Sequence, residues 1–342
     1  MIKKRYQIIL SAGLILCFMG LIVVAGNGNV VAANKKVALI TSMGGLGDRS
    51  FNDMAYKGLQ EVEEKLNIEY KIVEPDAVTE GERYLASLAQ MGYDLILTLE
   101  YGHADMVERV APQFPDKIFA VFNLVVDQPN VVSVVFKEHD ASFLAGALAA
   151  MVTSNTDIEG INEKKMIGVI GGVDSPGINK FMVAYEEGAH YINSEVEVLQ
   201  SYANSFADPS TGREMALVQM DRGADIVFQV AGATGQGIIE AAAQEGKYAI
   251  GVDANQDYMA KGNVLTSVMK RMDIAVYDLC EKLEKGLLEG GEVITLGLEE
   301  NGVSLTLMEY TKDKIPAEYI EKVKKLEKEI ISGQIEVTDV SQ

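Results

Sequence analysis

Lys36-Val-Ala-Leu-Ile-Thr41 and then Gly44-Gly-Leu-Gly-Asp-Arg-Ser-Phe-Asn-Asp53 lead into an amphipathic segment over residues 54–66, a succession that reads as strand, turn and helix. Glycines let such a turn bend close to a bound molecule. Phe51 offers a flat apolar face, while Asp48, Ser50, Asn52 and Asp53 offer hydrogen-bonding groups at a helix N-terminus. The stretch therefore reads as a recognition loop for a small polar molecule with an aromatic part. A purely structural reading stands beside it, in which Ser50 or Asn52 caps the helix and Phe51 staples it to the core.

Outward from this unit the same rhythm repeats. Strand-like apolar runs are predicted over residues 37–40, 69–73, 95–99, 118–122 and 131–135, with amphipathic segments such as 81–91 and 104–112 between them. After a helical stretch over 141–151 the rhythm restarts with runs at 166–170, 197–201, 226–230 and 248–252. A helix pair over 274–288 and 317–331 brackets two short strand-like runs, 293–298 and 303–307. Such alternation predicts an α/β protein with one mainly parallel, helix-flanked sheet in each half. Two such halves predict lobes that close over a ligand at the carboxyl ends of their strands. Residues 157–165, rich in charge, interrupt the pattern and read as a solvated surface loop.

The first residues, Met-Ile-Lys-Lys-Arg5, are followed by no charge from Tyr6 through Ala33. That pattern reads as an export signal peptide, with cleavage after Ala33, or as a retained N-terminal membrane anchor. Removing it takes away three basic residues and no acidic ones, shifting the formal charge from −20 to −23. So acidic a chain disfavours nucleic acid and any anionic partner. The two cysteines are Cys17, inside the apolar run, and Cys280, so the exported part holds one thiol and stability must come from packing. Roughly 310 residues remain for two lobes of ordinary size, each with its own core.

Further candidate loops lie at the ends of predicted strands. Gly232-Ala-Thr-Gly-Gln-Gly237 follows one strand and opens a helix expected over 238–245, where backbone amides can meet a ligand hydroxyl or carboxylate. Its spacing is not that of the dinucleotide fingerprint, and a tight helix start is the plain alternative. Asp253, after the run 248–252, is placed to accept hydrogen bonds from vicinal hydroxyls, as on a sugar, or to serve as a turn residue. Phe206 precedes a helix that Asp208 can cap with Pro209 in its first position. Phe51 and Phe206, from two lobes, can sandwich a planar ring. Lys270 ends a strand expected to return toward the first lobe, where it can donate to ligand oxygens or pair with Asp253. His103, His139 and His190 form no metal-spaced cluster, and neither a Gly-x-Ser-x-Gly nor a Walker-type loop occurs. No catalytic residue, metal or cofactor is expected.

Taken in order, the stretches 47–53 (GlyAspArgSerPheAsnAsp), 142–146 (SerPheLeuAlaGly), 170–176 (IleGlyGlyValAspSerPro), 205–209 (SerPheAlaAspPro), 231–237 (AlaGlyAlaThrGlyGlnGly), 251–256 (GlyValAspAlaAsnGln) and 265–273 (LeuThrSerValMetLysArgMetAsp) resemble the basic membrane protein family. Those are substrate-binding proteins of ABC importers, similar to the purine nucleoside receptor lipoproteins. The resemblance runs over residues 36–310. It implies a type I periplasmic-binding-protein fold with three crossovers between lobes and a nucleoside, most naturally a purine nucleoside, held in the cleft. The lobes expected are residues 36–138 plus about 265–298, and 139–264 plus about 299–335. By motif, Phe51 and Phe206 stack on the base, Asp253 and Lys270 hold the ribose hydroxyls beside the Gly232 backbone, and Asp48 and Asn52 supply further polar contacts to the ligand from the first loop, with Ser50 among its ligand-binding residues. Two positions depart from the family's pattern. Asn123 stands where the resemblance implies an aspartate at the base edge, and an amide donates as well as accepts. Cys17 follows Leu16 inside the apolar run, unlike a lipid-bearing cysteine behind a small residue.

The function expected is that of an exported, monomeric receptor at the outer face of the cell membrane or in the periplasm, delivering a nucleoside to an ABC permease. A ligand-sensing receptor of the same fold for another heterocyclic or sugar-containing ligand is the alternative. A nucleoside-processing enzyme would have to draw its acid or base from Asp48, Asp53 or Asp253. A sugar-responsive repressor shares the two-lobe plan, but the N-terminal segment replaces any helix-turn-helix.

Overall fold

Parallel strands covered by helices on both faces lose the in-out alternation of a half-exposed sheet. Ala224–Val230 and Tyr248–Asp253 accordingly are buried at every position. The computed structural model describes residues 34–341, so the signal or anchor expected over residues 1–33 lies outside the described residues. Among the described residues no helix is long and apolar enough to cross a membrane.

Among the described residues twelve strands form two six-stranded sheets. In chain order they are β1 (Lys35–Ile40), β2 (Ile68–Val73), β3 (Leu95–Thr98), β4 (Ile118–Phe122), β5 (Val131–Phe136), β6 (Met166–Gly171), β7 (Glu197–Tyr202), β8 (Ala224–Val230), β9 (Tyr248–Asp253), β10 (Val264–Lys270), β11 (Val293–Leu296) and β12 (Val303–Leu305). The first sheet runs β11-β5-β4-β3-β1-β2 and is parallel throughout. The second runs β12-β10-β9-β8-β6-β7, with only β12 antiparallel. The helices are α1 (Phe51–Lys65), α2 (Gly81–Gln90), α3 (Ala104–Val110), α4 (Glu138–Thr153), α5 (Pro176–Ile192), α6 (Pro209–Arg222), α7 (Thr234–Gln244), α8 (Met272–Glu284) and α9 (Ala317–Ile331). The chain passes between the halves three times, after β5, after β10 and after β11. This is the type I periplasmic-binding-protein fold.

One boundary differs from the expectation. Residues 264–270 pair with β9 inside the second sheet, so the return to the first half follows Lys270 rather than preceding Leu265. The segment expected as a solvated surface loop keeps Glu163 and Lys164 exposed and is anchored at its base. Asn162 donates its backbone N–H and its Nδ2 to the buried Asp225 carboxylate, which Lys247 neutralises at 2.7 Å. A buried carboxylate so satisfied fixes the loop from below.

Every residue of α4 except Met151 is buried, as an apolar all-round helix demands. Its contact with α5 is so close that only glycine fits. A Cβ at Gly146 would stand 1.9 Å from the Tyr185 carbonyl oxygen, and one at Gly188 would stand 2.0 Å from that of Phe143. Gly146→Ala is expected to cost about 1–3 kcal/mol of stability through forced separation of the helices. Gly177→Ala, where a Cβ meets nothing within 4 Å, is the helical control and should be neutral or slightly stabilising. Equal denaturation midpoints for the two variants would contradict this account.

Candidate functional site

In each sheet the chain reverses its direction of winding beside the first strand, between β1 and β3 and between β6 and β8. Crevices open at the carboxyl ends of strands at such points. A cavity of about 260 Å³ lies there, and its wall draws on the loops after β1, β3, β6 and β8. Asp48, Phe51, Asn52, Asn123, Phe206, Gly232, Asp253 and Lys270 all line it. Ser50 sits behind the wall, with its Oγ donating to Asp253 Oδ2 at 2.5 Å. The volume suits one small molecule rather than an oligomer.

The first loop is organised by Asp48, contrary to a simple reading in which Ser50 or Asn52 caps α1. The Asp48 carboxylate accepts the backbone N–H groups of Ser50, Asn52 and Asp53 at 2.9–3.1 Å, whereas the Ser50 side chain makes no capping bond. Burial pushes the Asp48 carboxyl above its usual range, against the pull of those amides. Asn52 in turn donates to Asp48 and accepts from the N–H and Oγ of Ser42. Asp53 accepts from the N–H groups of Gly47 and Arg49. Most of the polar capacity of the loop is therefore spent on its own shape, which aims Phe51 into the cavity.

Phe51 and Phe206 line the same cavity from opposite halves of the molecule. Phe206 rests on the backbone of Gly172, where an added Cβ would fall 2.1 Å from Cε1 of the ring. Asp208 caps α6 through the Thr211 N–H at 3.0 Å with Pro209 in the first turn, and fixes the end of that loop. Gly232 has φ +55, a conformation costly for other residues, and α7 begins at Thr234, four residues earlier than expected.

The polar end of the cavity is built on ions. Asp253 also takes a positive φ, 62°, and is buried. Burial raises its carboxyl to about 6, while the Lys270 charge and the Ser50 hydrogen bond oppose the rise. Lys270 pairs with Glu138 Oε1 at 2.7 Å rather than hydrogen-bonding Asp253, and donates to Asn123 Oδ1. Its ammonium also lies 5.0 Å from the ring centroids of Phe51 and Phe136. Lys180 reaches Glu138 Oε2 at 2.8 Å as an ion pair without a well-aligned hydrogen bond, and donates to the Phe136 carbonyl at 2.8 Å.

Glu138, Lys180, Phe181 and Tyr101 therefore belong to the wall although sequence reasoning did not select them. A signal existed for two of them. Lys180 falls on the stripe of α5 shared with Ala184 and Gly188, where a charge needs a buried partner, and Glu138 opens a helix that from Ala141 to Val152 is apolar apart from Ser142. His103 lies outside the cavity wall. Its Nε2 donates to the Val78 carbonyl at 3.1 Å, its Nδ1 meets Thr98 at 2.7 Å, and burial lowers its basicity, which marks a neutral structural histidine.

Hydrogen bonds tie the two halves directly together. Gln236 Nε2 donates to the Gly47 carbonyl at 3.2 Å and Gln256 Nε2 to that of Arg49 at 2.9 Å, in addition to the Ser50–Asp253 bond.

The sequence profile of a family described as ABC transporter substrate-binding protein PnrA-like matches residues 35–341. Basic membrane protein D of Borreliella burgdorferi is 31% identical over 347 residues, covering 98% of this chain and 95% of its own length. A protein of Lactococcus lactis subsp. cremoris named ABC transporter nucleoside-binding protein BmpA is 30% identical, covering 92% of each chain. The crystal structure of an ABC transporter system solute-binding protein from Aeropyrum pernix K1 superposes with a TM-score of 0.80 at 27% identity, over 89% of this chain and 93% of that one.

Proposed function

This chain belongs to the PnrA-like family of ABC transporter substrate-binding proteins, the basic membrane proteins, and from that premise we propose that it binds a nucleoside in the cavity and delivers it to an ABC permease. One observation carries the reading: two phenylalanines from opposite halves line one small cavity that ends in a buried carboxylate. Phe51 and Phe206 take the base between them, and Asp253 accepts the ribose hydroxyls. Lys270, two of whose three N–H donors are engaged, gives the third to a ligand oxygen. Gly232 lets the backbone come close, while Asp48, Ser50 and Asn52 hold the first loop in shape. The two halves act as lobes that close on the ligand, residues 1–33 export or anchor the chain, and it works as a monomer without catalysis. The relative named a nucleoside-binding protein supports the choice of ligand.

Calorimetric titration with a panel of purine and pyrimidine nucleosides tests this, and heat with none of them would refute it. The pH dependence adds a second readout. Hydroxyls that donate to Asp253 favour its ionised form, so the ligand lowers the carboxyl from about 6 and binding expels a proton below that pH. Affinity is therefore expected to be flat above pH 7 and to fall by up to about tenfold per unit below pH 6. Affinity that is independent of pH between 5 and 7.5 would remove Asp253 from the hydroxyl contact.

A further inference from the structure

The corner of the cavity where Asn123 meets Lys270 has a fixed polarity. An ammonium group donates and never accepts, so the amide of Asn123 must turn its oxygen toward Lys270, whose Nζ contacts Oδ1. The Asn123 NH2 group then points elsewhere, and among the described residues it has no hydrogen-bond partner. Asn123 lines the cavity and is only partly buried, so that group faces the space a ligand fills. Its backbone is locked as well: φ is +69°, which asparagine tolerates far better than most residues, at the turn directly after β4. Lys270 has one donor left after Asn123 and Glu138. Two unspent donors thus meet in one corner, and the acceptors beside them, Asn123 Oδ1 and Glu138 Oε1, are already occupied by the ammonium.

We propose that this donor pair receives a carbonyl oxygen of the bound heterocycle, so that the protein selects oxo-nucleosides, inosine and guanosine among the purines, over the amino-nucleoside adenosine. The proposal rests on the nucleoside reading and names the base within it. A carbonyl oxygen accepts from both donors at once, whereas the exocyclic amino group of adenosine would set donor against donor and leave desolvated N–H groups unpaired. A site built to make a hydrogen bond rejects an analogue that cannot make it far more strongly than an apolar pocket does. Asn123 is then the residue that sets specificity, with Lys270 fixing which end of its amide the ligand meets.

Parallel titrations of inosine, guanosine and adenosine into the wild-type protein and Asn123→Asp decide the matter. The wild type should bind inosine and guanosine at least about tenfold more tightly than adenosine. Asn123→Asp keeps an acceptor for Lys270 and replaces the donor with an acceptor, so the inosine-to-adenosine ratio should collapse by about tenfold or more. A wild type that binds adenosine as tightly as inosine overturns the proposal while leaving the nucleoside reading in place, and so does a ratio unchanged in Asn123→Asp. Should that variant fail to fold, the wild-type ratio alone decides. Binding of none of the three, with heat from no other nucleoside, would overturn both.

Discussion

Phe206→Ala is expected to weaken nucleoside binding by roughly 2 kcal/mol or more, about thirtyfold in Kd, with little change in the stability of the ligand-free protein. The ring is the half of the proposed base clamp that the second half of the molecule supplies, and its apolar contact with the ligand vanishes on truncation. The backbone that carries it is held independently: the Phe206 carbonyl accepts from the Thr234 N–H at 3.3 Å, and the Asp208 N–H donates to Thr234 Oγ1 at 2.9 Å. Loss of affinity without loss of fold is therefore the signature. Gly172→Ala provides an orthogonal test because it leaves the ring in the chain but drives a methyl group into its resting place. Calorimetry should show weaker binding for both variants. Wild-type affinity in both would dismiss the clamp.

Glu138→Ala should destabilise the fold by about 3–5 kcal/mol, the scale found when one partner is removed from a buried ion cluster. Glu138 is 2% exposed and stands between Lys270 and Lys180, themselves 3% and 7% exposed. Truncation leaves two desolvated ammonium groups with their shared counter-charge gone. Burial by itself would raise the Glu138 carboxyl, but the two lysines outweigh it and hold the group below its ordinary value. The folded state therefore binds this proton less readily than the unfolded chain. Its contribution is complete above the ordinary glutamate range near 4.5 and is lost as pH falls through the depressed folded value. Urea midpoints at pH 7 give the effect directly, and a midpoint that did not move would show that the lysines find other partners.

Much of this architecture is legible in the chain because parallel strands and their covering helices write different periods into it. The runs at 118–122 and 131–135 became β4 and β5 nearly residue for residue, and the last helix was bounded as α9. What local pattern cannot report is partnership at long range. Glu138 and Lys270 stand 132 positions apart, so nothing near either residue announces the pair, and the sequence offers Lys270 only a ligand oxygen or Asp253 as partner. Sheet membership is equally non-local. The crossing after β10 is a single residue, Arg271, too short to break the apolar rhythm, so local pattern places β10 with the half that follows it rather than with its own sheet. Within the first loop, the residue types pointed to helix capping, but which side chain reaches the amides depends on turn geometry, and Asp48 lies two residues before the position that sequence convention favours.

Glu138 is the first residue after the chain's first passage between the halves, and Lys270 is the last before its second. The ion pair between them therefore bolts together two of the three strands of polypeptide about which the halves would turn, at the floor of the space a guest occupies. Axle and seat are one piece of chemistry. In the receptor proposed above, a guest that drew on the Lys270 ammonium would load this joint directly, with no residue in between.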